Sequence, residues 1–200
     1  MIQSEYEVFS TYDYIAGLDE AGRGPLAGPV VAAGVILPKN CKINGLDDSK
    51  KLSPGKREEL FIQIQELALD YSIVVIDNKK IDEINILQSS LLAMSKSAKN
   101  LYPMPQLCLV DGNKSINDID NCKAIIKGDS KFYCIASASI IAKVIRDEIM
   151  MAFHQQYPQY NFYKNKGYPT KEHILALQKY GPTPIHRRSY KPVLQLSLIC

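Results

Sequence analysis

The sequence predicts a mixed α/β core with a helical C-terminal portion, because β-type runs cluster early in the chain and helical periodicity dominates its end. The chain's 200 residues suit one domain able to bury a core, and 46% apolar with 22% charged residues are ordinary globular values. The division expected within that single domain is a core over about residues 14–155 and a basic helical segment over about 156–200.

The elements follow in order. "YIAGLD" and "PVVAAGVIL" are β-type runs joined by "EAGRGPLAG", a glycine-and-proline bend, and predict a hairpin-like strand pair. "LSPGKREELFIQIQELALD" predicts a helix with Ser53 as N-cap, Pro54 at its first position and Leu60, Phe61, Ile64, Leu67 and Ala68 on one apolar face. "YSIVVID" reads as a short strand, and "IDEINILQSSLLAMSKSAKN" as a helix striped by Ile84, Leu87, Leu91 and Met94. "QLCLVDG" and "KAIIKGD" read as buried strands stopping at Asp111-Gly112 and Gly128-Asp129. A helix follows over residues 133–155 with Ile140, Ile141, Val144, Ile145 and Ile149 inward, then a Tyr/Lys-rich loop and a short helix in "PTKEHILALQKY", stopped by Gly181-Pro182.

Charge is distributed unevenly. Residues 161–191 hold seven Lys or Arg against one acid, so this segment is net +6 while the rest of the chain carries −3. A basic tail beside an acidic body suits an anionic ligand together with a cation. The five cysteines (41, 108, 122, 134, 200) lack CxxC or Cys/His spacing and read as reduced packing residues. "MIQSEYEVFSTYDY" has neither a basic n-region nor an apolar h-region, and the longest apolar stretch is too short to span a bilayer. The expectation is a cytoplasmic protein with no membrane association.

Three apparent strands end in acids beside glycine: Asp19 and Glu20, Asp111, and Asp129. Two adjacent carboxylates in an apolar setting repel each other and lose hydration, which is costly unless a cation is awaited. Gathered at one end of a sheet, four carboxylates would offer oxygen ligands to hard divalent ions, and two ions about 3.5–4 Å apart would bridge a scissile phosphate. Such a mechanism needs no histidine base, and none of the three histidines is assigned chemistry. Asp-Gly and Gly-Asp also terminate strands as plain turns, so Asp111 or Asp129 alone is ambiguous. Neighbouring strand residues face opposite ways, so Asp19 and Glu20 can share a site only if the strand ends or bulges there, or if Glu20 uses its carbonyl. Asp147 pairs with Lys143 one turn earlier, or backs the site in place of Asp129. Asp77, Asp82 and Asp118 read as ordinary surface or turn acids.

"GRGPLAG" is neither a G-x-G-x-x-G fingerprint nor a P-loop, which disfavours dinucleotide binding. Gly22, Arg23 and Gly24 can instead present backbone groups and one charge to a sugar-phosphate edge, or form a tight turn with a solvated arginine. Lys50 in "DDSKKLS" precedes a helix N-terminus where a phosphate could bind. Tyr157, Tyr160, Tyr163 and Tyr168 interleave with Lys164, Lys166 and Lys171, a mix that nucleic-acid grooves use.

Taken together, "GLDEAGRGPLAGPVVAAGVIL", "DSKKLS", "VDGN", "KGDS", "ASIIAKVIRD", "KGYPT" and "HRRS" resemble ribonuclease HII in content and order, over about residues 14–193. The resemblance implies an RNase H-like mixed β-sheet flanked by helices with a C-terminal helical segment. It implies cleavage of RNA in RNA–DNA hybrids, and of duplex DNA 5′ to an embedded ribonucleotide, with two Mg²⁺ or Mn²⁺ ions and products ending in 3′-hydroxyl and 5′-phosphate. It places the metal-binding acids on Asp19, Glu20, Asp111 and Asp129, the junction reader on Gly22, Arg23 and Gly24, the stacking tyrosine on Tyr168 and a phosphate contact on Lys50. Ala136-Ser137 stands where the family usually has Ser-Ala. The expected partners are RNA–DNA hybrid and ribonucleotide-containing duplex, bound by a monomer. Two other readings stay open: a nuclease of the same fold acting on DNA junctions, and a non-catalytic nucleic-acid-binding module.

Overall fold

The computed structural model describes residues 2–39, 41–46, 49 and 52–197. Its centre is a five-stranded sheet in the order β3-β2-β1-β4-β5, formed by β1 (Ile15–Ala21), β2 (Val30–Ile36), β3 (Asp70–Ile76), β4 (Leu107–Asp111) and β5 (Cys122–Ile125). β1 pairs antiparallel with β2, as the glycine-rich bend predicts, and β2 pairs antiparallel with β3. β4 runs parallel to both β1 and β5.

β2 is buried along its whole length because helices cover both faces of the sheet. Val30, Ala32 and Ile36 pack with Ala93, Met94 and Ala98 of α3 (Asn78–Lys99). Ala33 and Val35 face the other way, against Ile140, Ile141 and Val144 of α4 (Tyr133–Gln156) and Leu60 and Ile64 of α2 (Pro54–Leu67). The period-two alternation thus sorts one apolar run onto two cores.

α2 starts as the sequence predicts, with the Ser53 hydroxyl accepting from the Lys56 amide and Pro54 at the first turn. Its face is shorter than expected, since Leu67 is exposed beyond the buried Leu60 and Ile64. α3 begins three residues earlier than predicted, because Asp77 caps it through the Lys80 amide. It also breaks at Asn85 (φ 66°), whose side chain caps the second half by accepting from the Gln88 amide at 3.1 Å. The break turns Ile84 and Leu87 only halfway into the core, which Ile81, Ala93 and Met94 fill instead. β5 ends at Ile125, four residues before Asp129. Lys127 adopts the left-handed conformation (φ 55°) and the chain enters a 3-10 turn over Gly128–Ser130, so Asp129 sits in that turn and not at a strand end.

A short N-terminal helix, α1 (Glu5–Val8), packs beside the start of α4. Phe132, at the N-cap of α4, provides no side-chain cap; the buried Glu5 carboxylate accepts from the Cys134 amide at 3.3 Å. Burial pushes the Glu5 carboxyl up to about 7, above its ordinary 4.5. Between those values the folded chain holds a proton that the unfolded chain releases, so this contribution is full below pH 4.5 and is lost as pH rises through 7. Glu5→Gln keeps a carbonyl acceptor and removes the titration. Thermal melts from pH 4.5 to 8 should show a shallower fall of Tm with pH in the variant, the difference being on the order of 3 kcal/mol at most.

α5 (Phe162–Asn165), α6 (Lys171–Tyr180) and α7 (Lys191–Ser197) build a separate apolar cluster around Phe162, Tyr160 and Leu177, into which Leu26, Ala27 and Met150 insert. Gly181 follows the end of α6, as the sequence predicts, and Thr170 caps its start by accepting from the His173 amide. The four described cysteines are free thiols, and none of the described helices is long and apolar enough to cross a membrane.

Candidate active site

β4 ends near the point where β1 reaches its acids. Leu18 is the last β1 residue paired with β4, opposite Val110, while pairing with β2 continues to Ala21. From Asp19 onward β1 therefore has a strand partner on one side only. A cleft of about 310 Å³ opens there, and Asp19, Glu20 and Asp111 all line it. The strand neither ends nor bulges at the acid pair, since its pairing with β2 keeps register through Ala21, and both residues line the cleft beside the unpaired edge. The larger groove, about 910 Å³, lies along α2 and α4 and carries none of these acids. It shares Lys143 with the cleft and adds Arg57, Tyr163, Lys164 and Lys166, with Glu58, Asp147 and Glu148 among them.

Asp19 is buried, and its carboxyl lies well above the usual range, first through desolvation and then through the charges of Glu20 and Asp111. Ser139 of α4 and the Glu20 amide, at 2.7 Å, hydrogen-bond to it and act in the opposite direction. Asp111 accepts from the Gly128 amide at 2.7 Å, which ties β4 to the 3-10 turn. Asp129 is buried in that turn, beside the anchor of Asp111 but outside the described lining of the cleft.

Gly22, Arg23 and Gly24 form the opposite rim, with Tyr168 at its edge. Gly22 has φ +104°, and a Cβ there would fall 2.1 Å from Nε of Arg146. A Cβ on Gly24 would lie 3.3 Å from the Tyr168 ring, so the missing side chain leaves the half-exposed ring free beside the loop. Lys50 lies outside the described residues. Its neighbours Ser49 and Leu52 are anchored by Arg57, which donates to their carbonyls at 3.0 and 2.6 Å. Asp147 holds Lys143 at 2.5 Å and sits 3.8 Å from Arg57, so it organises the cationic groove and does not line the acidic cleft.

Oxygen-only carboxylate donors, one of them held above its ordinary pKa by burial and then by neighbouring negative charge, fit a hard divalent cation. Among the described residues no three His, Cys, Asp or Glu are drawn close enough to form a finished coordination shell.

A family model described as Ribonuclease HII matches residues 16–193. The chain belongs to the ribonuclease HII family. Among its ribonuclease HII relatives, that of Endomicrobium trichonymphae is 56% identical over 180 residues, covering 90% of this chain and 86% of the relative. The ribonuclease H2 of Pyrococcus horikoshii OT3 shares the fold with a TM-score of 0.71 at 27% identity, over 93% of this chain and 98% of that one. The RNase HII of Archaeoglobus fulgidus, solved in a PCNA:RNase HII complex, gives a TM-score of 0.75 at 26% identity over 89% and 95% of the two chains. The five-stranded mixed sheet with flanking helices is thus the ribonuclease HII fold, as the sequence motifs imply.

Sequence reasoning passed over several residues of this ribonuclease HII cleft. Ser139 and Lys143 line it together with Ser49, whose hydroxyl lies 3.0 Å from that of Ser139. A signal was present: Ser139, Lys143 and Asp147 recur every four residues, which puts them on one stripe of the helix. His173 and His186 are buried under Tyr168, with their Nε2 atoms 3.0 Å apart. His173 Nδ1 faces the Tyr168 carbonyl and must donate to it; His186 Nδ1 accepts from the Thr183 amide. His186 Nε2 therefore donates to His173 Nε2, both rings are neutral, and burial accordingly holds both below their usual pKa.

Proposed function

We propose that the protein is a divalent-metal-dependent endonuclease that hydrolyses the RNA strand of RNA–DNA hybrids and nicks duplex DNA 5′ to an embedded ribonucleotide. The observation that carries this reading is the meeting of Asp19, Glu20 and Asp111 in one cleft with the Gly22-Arg23-Gly24 rim and Tyr168. Family membership supports the same activity.

Asp19, Glu20 and Asp111 would hold Mg²⁺ or Mn²⁺, with Asp129 joining them from the adjoining turn. Divalent ions bound there supply Lewis acidity at the phosphate and acidify water, and the family's two-ion scheme leaves 3′-hydroxyl and 5′-phosphate ends. The chain's own groups do the recognition. A 2′-hydroxyl is what separates RNA from DNA at a given sugar, and a rim without Cβ atoms lets the backbone approach it. The Tyr168 ring offers a stacking face at the same sugar. Lys143, Lys164 and Lys166, with Lys50, meet phosphates along the strand. The same proposal has the enzyme act as a monomer in the cytoplasm.

The deciding assay uses a duplex carrying one ribonucleotide and an all-DNA duplex of the same sequence, each with Mg²⁺, Mn²⁺ or EDTA. The expected result is a metal-dependent nick on the 5′ side of the ribonucleotide and none in the all-DNA duplex. Cutting of branched all-DNA substrates would instead mean a junction nuclease. Binding without any cleavage would mean a non-catalytic module.

A further inference from the structure

Among the described residues, Arg146 and Arg187 are the two largest fully buried side chains, and neither has an ion-pair partner within 4.0 Å. Burying a guanidinium without a carboxylate is expensive, so the site must use it or satisfy it in another way. Arg187 uses all five of its N–H groups. Nε donates to the Gly28 carbonyl at 3.0 Å, and Nη1 to the Arg23 carbonyl and the Tyr190 hydroxyl, both at 3.0 Å. Nη2 donates to the Gly22 carbonyl at 2.6 Å and the Pro29 carbonyl at 3.1 Å. Arg146 donates to Pro29 at 3.1 Å, Ala27 at 3.2 Å and Lys166 at 3.0 Å. Tyr190 completes the set by donating to the Arg23 carbonyl at 2.7 Å.

All but one of the carbonyls in this set belong to residues 22–29, the bend whose first three residues form the rim of the acidic cleft. The fork of Arg187 grips Gly22 and Arg23 from beneath, and Gly22 rests against Nε of Arg146 so closely that a Cβ would overlap it. Both guanidiniums share the Pro29 carbonyl, which brings two like charges together. Burial, and after it that repulsion, lowers the Arg146 pKa to about 10, still cationic at neutral pH. Asp147 and Asp82, the acids whose charges act on Arg146 and Arg187, are also engaged by Lys143 and by the Arg188 and Ser189 amides. The paired positive charge beneath the rim therefore still adds to the potential met by a phosphate laid across it.

Resting on the reading in the preceding subsection, we propose that Arg187, Arg146 and Tyr190 are positioning residues. They hold the Gly22-Arg23-Gly24 rim in its ribose-reading shape, and the two guanidinium charges draw a substrate phosphate onto it. Arg187 and Tyr190 then govern discrimination between ribose and deoxyribose, and the Arg146 charge governs affinity for either backbone.

The test measures binding in EDTA, where no cleavage occurs, of a duplex with one ribonucleotide and of the matching all-DNA duplex. The variants are Tyr190→Phe, Arg187→Lys, Arg146→Lys and Arg146→Met, each checked by thermal melting. Tyr190→Phe and Arg187→Lys should cut the ribo-over-deoxy preference by about fivefold or more, the scale of one ordinary hydrogen bond, with all-DNA affinity nearly unchanged. Arg146→Met should weaken both duplexes about tenfold, and Arg146→Lys should restore most of that loss. Tyr190→Phe removes a single hydroxyl from a half-buried ring and serves if the arginine variants do not melt cooperatively. Full ribo preference in folded Tyr190→Phe and Arg187→Lys overturns the positioning role. Equal affinities of Arg146→Met and Arg146→Lys overturn the electrostatic one. A wild-type protein that neither prefers nor cuts the ribonucleotide duplex overturns the preceding reading itself.

Discussion

Asp19→Asn will abolish cleavage and raise thermal stability in the same molecule. The carboxyl of Asp19 is buried and faces Glu20 and Asp111, so its ionised form is disfavoured in the fold and its pKa is raised. A group held in that way binds protons more tightly folded than unfolded, so above its unfolded pKa it subtracts from stability. Asparagine is close in shape, can still accept from the Glu20 amide, and carries no charge. The Tm at pH 8 should therefore equal or exceed that of the wild type. Activity should fall by a factor on the order of 10³ or more, since a charged donor at the reacting centre is lost. Adding Mg²⁺ offers a further readout: a cation that binds the folded chain raises its Tm by mass action, so wild type should gain and Asp19→Asn should gain less. Unchanged cleavage, or a lower Tm with a normal response to Mg²⁺, would remove Asp19 from the metal-binding role.

How much of this was legible beforehand depended on how far apart along the chain the interacting residues lie. The acid pair, the glycine bend with its antiparallel strand pair, the Ser53 cap and the Gly181 stop are written in runs of a few residues, where periodicity and turn chemistry suffice. What escaped acts across long separations. Glu5 caps a helix 129 residues away, and Asp82, read as an ordinary acid, binds the amides of Arg188 and Ser189 more than a hundred residues on. The Arg187 grip on Gly22 spans 165 residues. In the sequence, "IHRRSYKP" shows only its positive charge, which suggests contact with phosphate. In the fold, Arg187 is wholly buried and spends its donors on the chain's own carbonyls. Tyr160 makes the same point: it stands among lysines in the sequence yet is packed in the C-terminal core. The placement of Asp129 was missed for a local reason, the left-handed Lys127 that ends the strand path early.

Gly17→Ala should strongly destabilise the fold although it adds a single methyl outside the site. Gly17 lies two residues before Asp19 on β1, where the first turn of α4 crosses the sheet. A Cβ there would come within 2.2 Å of the Cys134 carbonyl carbon and 2.3 Å of the Ile135 amide nitrogen. Both are backbone atoms in a fully buried stretch, so no side chain can swing aside, and relief requires α4 to lift away from β1. Overpacking a core commonly costs about 1–3 kcal/mol, and a collision with helix backbone belongs at or above the top of that range. For a domain of this size the expected loss is roughly 10 °C in Tm. The displacement also carries Ser139 of α4 away from Asp19, so kcat should fall even at temperatures where the variant is folded. Gly34→Ala is the control, because its Cβ would meet mainly flexible side-chain atoms of Leu18, Ser97 and Leu101 at 2.9–3.1 Å on the opposite face. It should lower Tm by less and leave kcat close to wild type. If Gly17→Ala melts like Gly34→Ala and cuts at the wild-type rate, α4 does not register the acids of β1, and the close glycine crossing is packing alone.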